Sequence, residues 1–200
     1  MPAKAGTFWG VQHYYVDRRN MESDRGSVHS DQNFMTWNYG VSDWFSLDLK
    51  YTLYSTFRTE DPEGDMKYKN AVWGGGYGFR IRLYESGPVK VVTGFQHFSI
   101  HPKTVKANGA RQNGILEDWQ GSVLASYDLK RIIPYMGLRY DSMDYISDRD
   151  HVRTVVKSDE NRRIGFIAGV DIPVTSRLWI NAETDWQDRG SATIGLSWHF

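Results

Sequence analysis

Apolar and polar residues alternate along most of this chain with a period of two. Between Trp44 and Phe57, the residues Phe45, Leu47, Leu49, Tyr51 and Leu53 fall on one face, and Ser46, Asp48, Lys50, Thr52 and Tyr54 on the other. Side chains of a strand point alternately to its two faces, so the pattern predicts a β-strand with one apolar and one polar face. The pattern recurs around Thr7–Val16, Asn33–Val41, Ala71–Leu83, Val89–Ile100, Asp118–Tyr127, Tyr135–Asp141, Ile164–Ile172, Leu178–Trp186 and Ser191–Phe200. That predicts ten strands. The connections after the second, fourth, sixth and eighth are short. Polar stretches at Asp17–Asp31, around Pro62 and Gly64, at Ile100–Leu116 and at Ser142–Arg162 read as long loops. Short turns on one side and long loops on the other suit an up-and-down barrel that crosses a membrane.

Composition narrows this reading. The 200 residues suit a single domain over 1–200, with 1–6 as an N-terminal tail. No apolar run approaches the roughly 20 residues of a membrane-spanning helix, and a barrel needs none, because only every second strand residue faces lipid. A formal net charge of zero gives no sign of a nucleic-acid partner, and the absence of cysteine excludes disulfides and thiolate metal sites. The opening Met1-Pro2-Ala3-Lys4-Ala5-Gly6 reads as the start of a mature chain whose signal peptide has been removed, with Met1 added for expression.

Alternation does not say which face is outside, and a soluble lipid-binding barrel alternates with its apolar face inward. Three features favour lipid on the apolar face. Aromatic residues gather near strand ends (Trp9, Trp44, Trp73, Trp119, Trp186, Trp198 and Phe200), as interfacial girdles require. The polar face is rich in glycine, which leaves room in a narrow lumen for long neighbours such as Arg80 and Arg82. It also carries both signs of charge, in Asp48, Lys50, Arg80, Arg82, Lys90, Arg139, Asp141, Asp171, Glu183 and Asp185, a set able to pair across a small interior. The expected fold is all-β: a closed antiparallel up-and-down transmembrane β-barrel of about ten strands.

The last ten residues, S-A-T-I-G-L-S-W-H-F, place Ala192, Ile194, Leu196, Trp198 and Phe200 on one face and stop on the aromatic residue. This resembles the closing strand of bacterial outer-membrane β-barrels. The resemblance implies an outer-membrane location, outer-membrane lipids and lipopolysaccharide as surroundings, and recognition of that strand by the barrel-assembly machinery.

Two places suggest chemistry. The luminal charges read either as a narrow selective pore or as a plug of paired side chains that stiffens the barrel. On strand five, Phe95-Gln96-His97-Phe98-Ser99-Ile100-His101 puts His97 and Ser99 on the apolar face, and Glu117 has the same phase on strand six. Ser99 as nucleophile, His97 as base and Glu117 as orienter would form a hydrolytic set facing lipid. This His-x-Ser arrangement resembles the outer-membrane acyl hydrolases, the lipid A 3-O-deacylases and outer-membrane phospholipase A. It departs from them in having Ile100 where they usually carry asparagine. The crowded Asp141, Asp144, Asp148, Asp150 and His151 read as a solvated acidic loop, and neither a metal nor a cofactor is implied. Omptins are also ten-stranded, but Asp150 and His151 are adjacent here rather than on one strand face, so no proteolysis is carried over. The preferred expectation is a non-enzymatic barrel whose loops serve adhesion or partner contact, or whose lumen passes small solutes. The rival is the lipid acyl hydrolase, and a third reading is the soluble lipid-binding barrel.

Overall fold

The computed structural model describes residues 6–60, 65–69, 71–107, 110–149, 152–160, 163–186 and 190–200. The strands are β1 (Gly6–Asn20), β2 (Ser27–Gly40), β3 (Phe45–Glu60), β4 (Met66–Tyr68), β5 (Ala71–Ser86), β6 (Val89–Pro102) and β7 (Val105–Ala107). They continue with β8 (Ala110–Tyr127), β9 (Ile133–Arg149), β10 (Val152–Lys157), β11 (Ile164–Pro173), β12 (Leu178–Trp186) and β13 (Ser191–His199). Ten of them form an antiparallel ring in the order β1-β2-β3-β5-β6-β8-β9-β11-β12-β13. The ring closes where β13 pairs with β1, from Phe8↔His199 to Val16↔Ser191. Off the ring, β4 pairs with β3, β7 with β8 and β10 with β9.

The apolar face points outward. Leu47, Leu49 and Tyr51 on β3, Tyr77 on β5, Val123 on β8, Phe166 on β11 and Ile194 on β13 are all exposed, while the alternate residues line the interior. A soluble barrel with its apolar face inward is therefore overturned. The expected phase on β3 also fails at one point. A bulge shifts the register, with Asn33 facing Tyr54 and Phe34 facing Thr52, so Leu53 and Tyr54 both face out and Ser55, Phe57 and Thr59 turn in.

Three of the expected loops are largely strand. Residues read as loop instead extend β1 and β2 into a hairpin, extend β8 down to Ala110, and extend β9 to Arg149 with β10 folded against it. A membrane-crossing strand needs about 9–11 residues. β12 and β13 have 9 each, whereas β8 has 18 and β9 has 17. One arc of the barrel therefore stands well clear of the apolar belt. There both faces of the sheet meet new surroundings, water outside and an apolar core inside, so the alternation that marks the belt is lost.

The bore is divided along its length. At the hairpin end, Tyr14, Phe34, Phe98, Ile100, Leu116 and Met143 pack with Val16, Val28, Phe57, Tyr68, Tyr145 and Val156 into one buried cluster. Tyr68 stacks on Phe57 at 4.6 Å and shares a 2.7 Å hydroxyl hydrogen bond with Tyr145. Glycines make space for these rings: a Cβ on Gly76 would lie 2.5 Å from Phe98 Cβ, and one on Gly114 would lie 2.6 Å from the Tyr68 ring. Of the glycines expected to accommodate arginines, Gly94 does adjoin Arg80. The short-turn end is polar and ionic.

Phe98→Ala would open this core and should destabilise the folded barrel by about 3–5 kcal/mol. Phe166→Ala on the lipid-facing wall should cost less, because acyl chains close around a shortened side chain. The urea midpoint of the folded, fast-migrating gel band measures both, and equal losses would contradict the assignment of an inner core.

Candidate functional site

The luminal charges lie on inward positions of six of the ten ring strands, in two groups either side of β8, and most form close pairs. Arg80 on β5 reaches Asp48 on β3 at 2.5 Å, and Asn38 donates to the same carboxylate at 2.6 Å. Across the bore, Arg139 on β9 binds Glu183 at 2.7 Å and Asp185 at 3.5 Å on β12. Tyr135 donates to Glu183 at 2.9 Å, and Asn181 donates to Asp171 at 2.8 Å. Buried Arg19, not anticipated from the sequence, holds Asp141 at 2.9 Å. Arg82 and Lys90 both pair with Glu85 near the short β5–β6 turn. Lys50 differs from these. Its ammonium lies 5.4 Å from the Phe34 ring and 5.5 Å from the Phe98 ring, at the boundary between the ionic and apolar halves. Beside it is a cavity of about 190 Å³ lined by Tyr14, Asp48, Arg80, Gln96, Tyr135, Glu183 and others.

Every predicted girdle residue faces outward. Trp9, Trp44, Trp198 and Phe200 lie at the short-turn end, and Trp73, Trp119 and Trp186 toward the hairpin end. Of the acidic loop, Asp141 and Asp144 lie in β9 on opposite faces, Asp148 is paired in the β9–β10 hairpin, and Asp150 and His151 lie outside the described residues. Among the described residues no group of three or more acidic or histidine side chains converges on a metal position.

The predicted hydrolytic set is close together but wired differently from expectation. Ser99 faces Glu117 directly across the β6–β8 pair, which puts their Cβ atoms about 5 Å apart. Ser99 does not bond His97. Its Oγ lies 2.9 Å from Nε2 of His101, two residues further along the same face. His97 instead stacks on Trp119 with ring centroids 3.9 Å apart and meets Tyr77 edge-on at 5.5 Å. Its Nδ1 is buried with no hydrogen-bond partner among the described residues. His101 is braced by Trp73, stacked at 4.7 Å. The sequence held a signal for this pair, since Ser99 and His101 share a face as surely as His97 and Ser99 do.

These residues fall in cross-strand rows. Tyr77, His97 and Trp119 are successive cross-strand partners and make an aromatic row. One outward step beyond lies a polar row of Gly75, Ser99, Glu117, Asp144 and Lys157 across β5, β6, β8, β9 and β10. Toward β3 and β2 the polar row continues as the exposed Tyr51 and Met35, and His101 beyond it is paired with the girdle residue Trp73. Burial holds the His101 imidazole below its ordinary range, with the Glu117 charge acting in the opposite direction. The imidazole is therefore neutral at neutral pH, the form that accepts a proton. Burial likewise pushes the Asp144 carboxyl up, against the pull of Lys157.

No family model matches the sequence, and no curated protein matches it. Solved structures do match its fold. The transport unit of the autotransporter AIDA-I from Escherichia coli has a TM-score of 0.51 at 11% identity, over 98% of this chain and 90% of that one. The translocator domain of the autotransporter NalP from Neisseria meningitidis gives 0.49 at 10% identity, over 98% and 89%. The attachment invasion locus protein Ail of Yersinia pestis gives 0.47 at 10% identity, over 98% of both chains. The chain has the fold of a small outer-membrane β-barrel.

Replacing Arg139 with methionine would strand Glu183 and Asp185 in the bore and should cost about 3–5 kcal/mol in the same urea assay. Arg139→Met combined with Glu183→Gln and Asp185→Asn should recover most of that loss. No recovery would mean that the arginine acts through packing rather than charge.

Proposed function

We propose that the protein is an integral barrel of a bacterial outer membrane, with its short turns in the periplasm and its long hairpins outside the cell. In this reading the lumen does not conduct. The observation that carries it is the apolar cluster of Tyr14, Phe34, Phe98, Ile100, Leu116 and Met143 across the hairpin end of the bore. An apolar constriction excludes water, and ions do not cross without it. The paired charges below the cluster support the same reading, since they bind one another more readily than a passing solute. The 190 Å³ cavity then ends blindly below the aromatic rings.

With the bore filled, contact falls to the external hairpins, and this role is non-enzymatic. β10 is paired on one edge, to β9, and carries Val152 and Val155 exposed at 67% and 45%. An exposed strand edge with β-branched side chains suits adhesion or a partner's extended segment.

In planar bilayers the folded protein should give no stable current steps, and Phe98→Ala with Leu116→Ala should introduce them. Ohmic steps from the unaltered barrel would overturn the closed lumen. Cells displaying Val152→Lys and Val155→Lys should adhere less than cells displaying the unaltered barrel, and equal adhesion would remove β10 as the contact.

A further inference from the structure

We propose that the ionic half of the bore is a binding pocket, entered from the short-turn end, for a small hydroxylated carboxylate whose anionic head is held by Lys50. The site stands whether or not the lumen conducts.

Lys50 is set apart from the other luminal cations by its company. Arg80, Arg82, Lys90 and Arg139 each reach a carboxylate, whereas Lys50 has no ion pair and no hydrogen bond among the described residues. Its ammonium meets the Phe34 and Phe98 rings, at 5.4 and 5.5 Å. Ring faces attract a cation but leave the three N–H donors of an ammonium without an oxygen acceptor. The neighbouring carboxylates are engaged elsewhere. Asp48 takes Arg80 and Asn38, Glu183 takes Arg139 and Tyr135, and Asp118 takes the Gln120 amide at 2.9 Å. The paired charges therefore do not compete for a solute, and Lys50 is the cation left to bind one. An ammonium deep in a narrow bore attracts an anion more strongly than one in bulk water, because low-dielectric walls weaken the screening.

The cavity of about 190 Å³ that Lys50 lines supplies the space. It is closed at one end and open at the other. Phe34 and Phe98 are buried at the Lys50 end, while Ser126 and Ser197, near the short turns, line it and are half-buried. It holds about a dozen waters, or a solute with about as many non-hydrogen atoms. Thr36, Ser122 and Thr193 bring hydroxyls to its wall, and Gln12 brings a buried amide oxygen without a hydrogen-bond partner among the described residues. Such groups suit a hydroxylated chain. Charge fixes the head group. One unpaired ammonium matches one negative charge, and a phosphate dianion would leave a second charge unmatched in the bore. The occupant is a monocarboxylate of about six carbons with hydroxyls along its chain.

The test uses the barrel folded in detergent micelles, with D-gluconate as the probe and D-glucitol as its uncharged counterpart. Binding is read by calorimetry. Occupancy of the site is read by acetylating lysines with acetic anhydride and mapping them by peptide mass spectrometry, with exposed Lys130 as the internal reference. Gluconate should bind and should shield Lys50, and glucitol should do neither at the same concentration. Lys50→Met should weaken gluconate at least ~10-fold, the loss of a hydrogen bond to a charged group. Ser122→Leu, which keeps the charge and fills the cavity, should weaken it as much. The shielding of Lys50 in the wild type needs neither variant to fold. Absence of both binding and shielding at millimolar gluconate, in protein with the gel mobility of the folded barrel, would overturn the site. Unchanged affinity in folded Lys50→Met, or equal shielding by glucitol, would overturn the role of the ammonium. Tighter binding of inorganic phosphate would overturn the carboxylate, and tighter binding of hexanoate would overturn the hydroxylated chain.

Discussion

A backbone amide in hydrocarbon has no water to bond, so a sheet that crosses a membrane must satisfy its own edges. The rest of this molecule follows from that requirement. Nine residue pairs between β1 and β13 close the ring, and closure fixes which face of every strand looks outward. Once the faces are fixed, each strand residue answers to lipid or to the bore, and the sequence alternates accordingly. The closing strand can carry Ile194, Leu196 and Trp198 beside Thr193, Gly195 and Ser197 only because those sets never share an environment.

A ten-stranded ring is too narrow to leave its interior empty, and this one fills it with two different materials. Ionic pairs occupy the lower half, where Arg80 and Arg139 each find a carboxylate on another strand. Aromatic and aliphatic side chains occupy the upper half, above the belt. Lys50 sits at the join, with its charge over the Phe34 and Phe98 rings. The Arg80 and Arg139 pairs join strands next to or near one another in the ring, Arg19 ties β1 to the more distant β9, and the packed rings fill the space above. In the proposed reading such a barrel is closed, and its functional surface lies outside.

Much of this was legible in the sequence because the belt imposes a period of two. Strand number, the outward set and the ten luminal charges all follow from it. The hairpins above the belt were not legible. Around Gln112-Asn113-Gly114-Ile115-Leu116-Glu117, the inward Gly114 and Leu116 seat an apolar core while Asn113 and Glu117 meet water, and so short a polar run reads as loop. Arg19 was missed for the same reason: it stands in a polar stretch, and its partner Asp141 is 122 residues away. The bulge beside Leu53 also left no mark, since a bulge is a matter of pairing and not of composition.

The wall site shows how far local pattern reaches and where geometry must decide. Period two places His97, Ser99 and His101 on one face without ranking the two histidines. The neighbouring strands do the ranking. Trp119 and Tyr77 cover His97 in the aromatic row, while Trp73 braces His101 and leaves its Nε2 for Ser99.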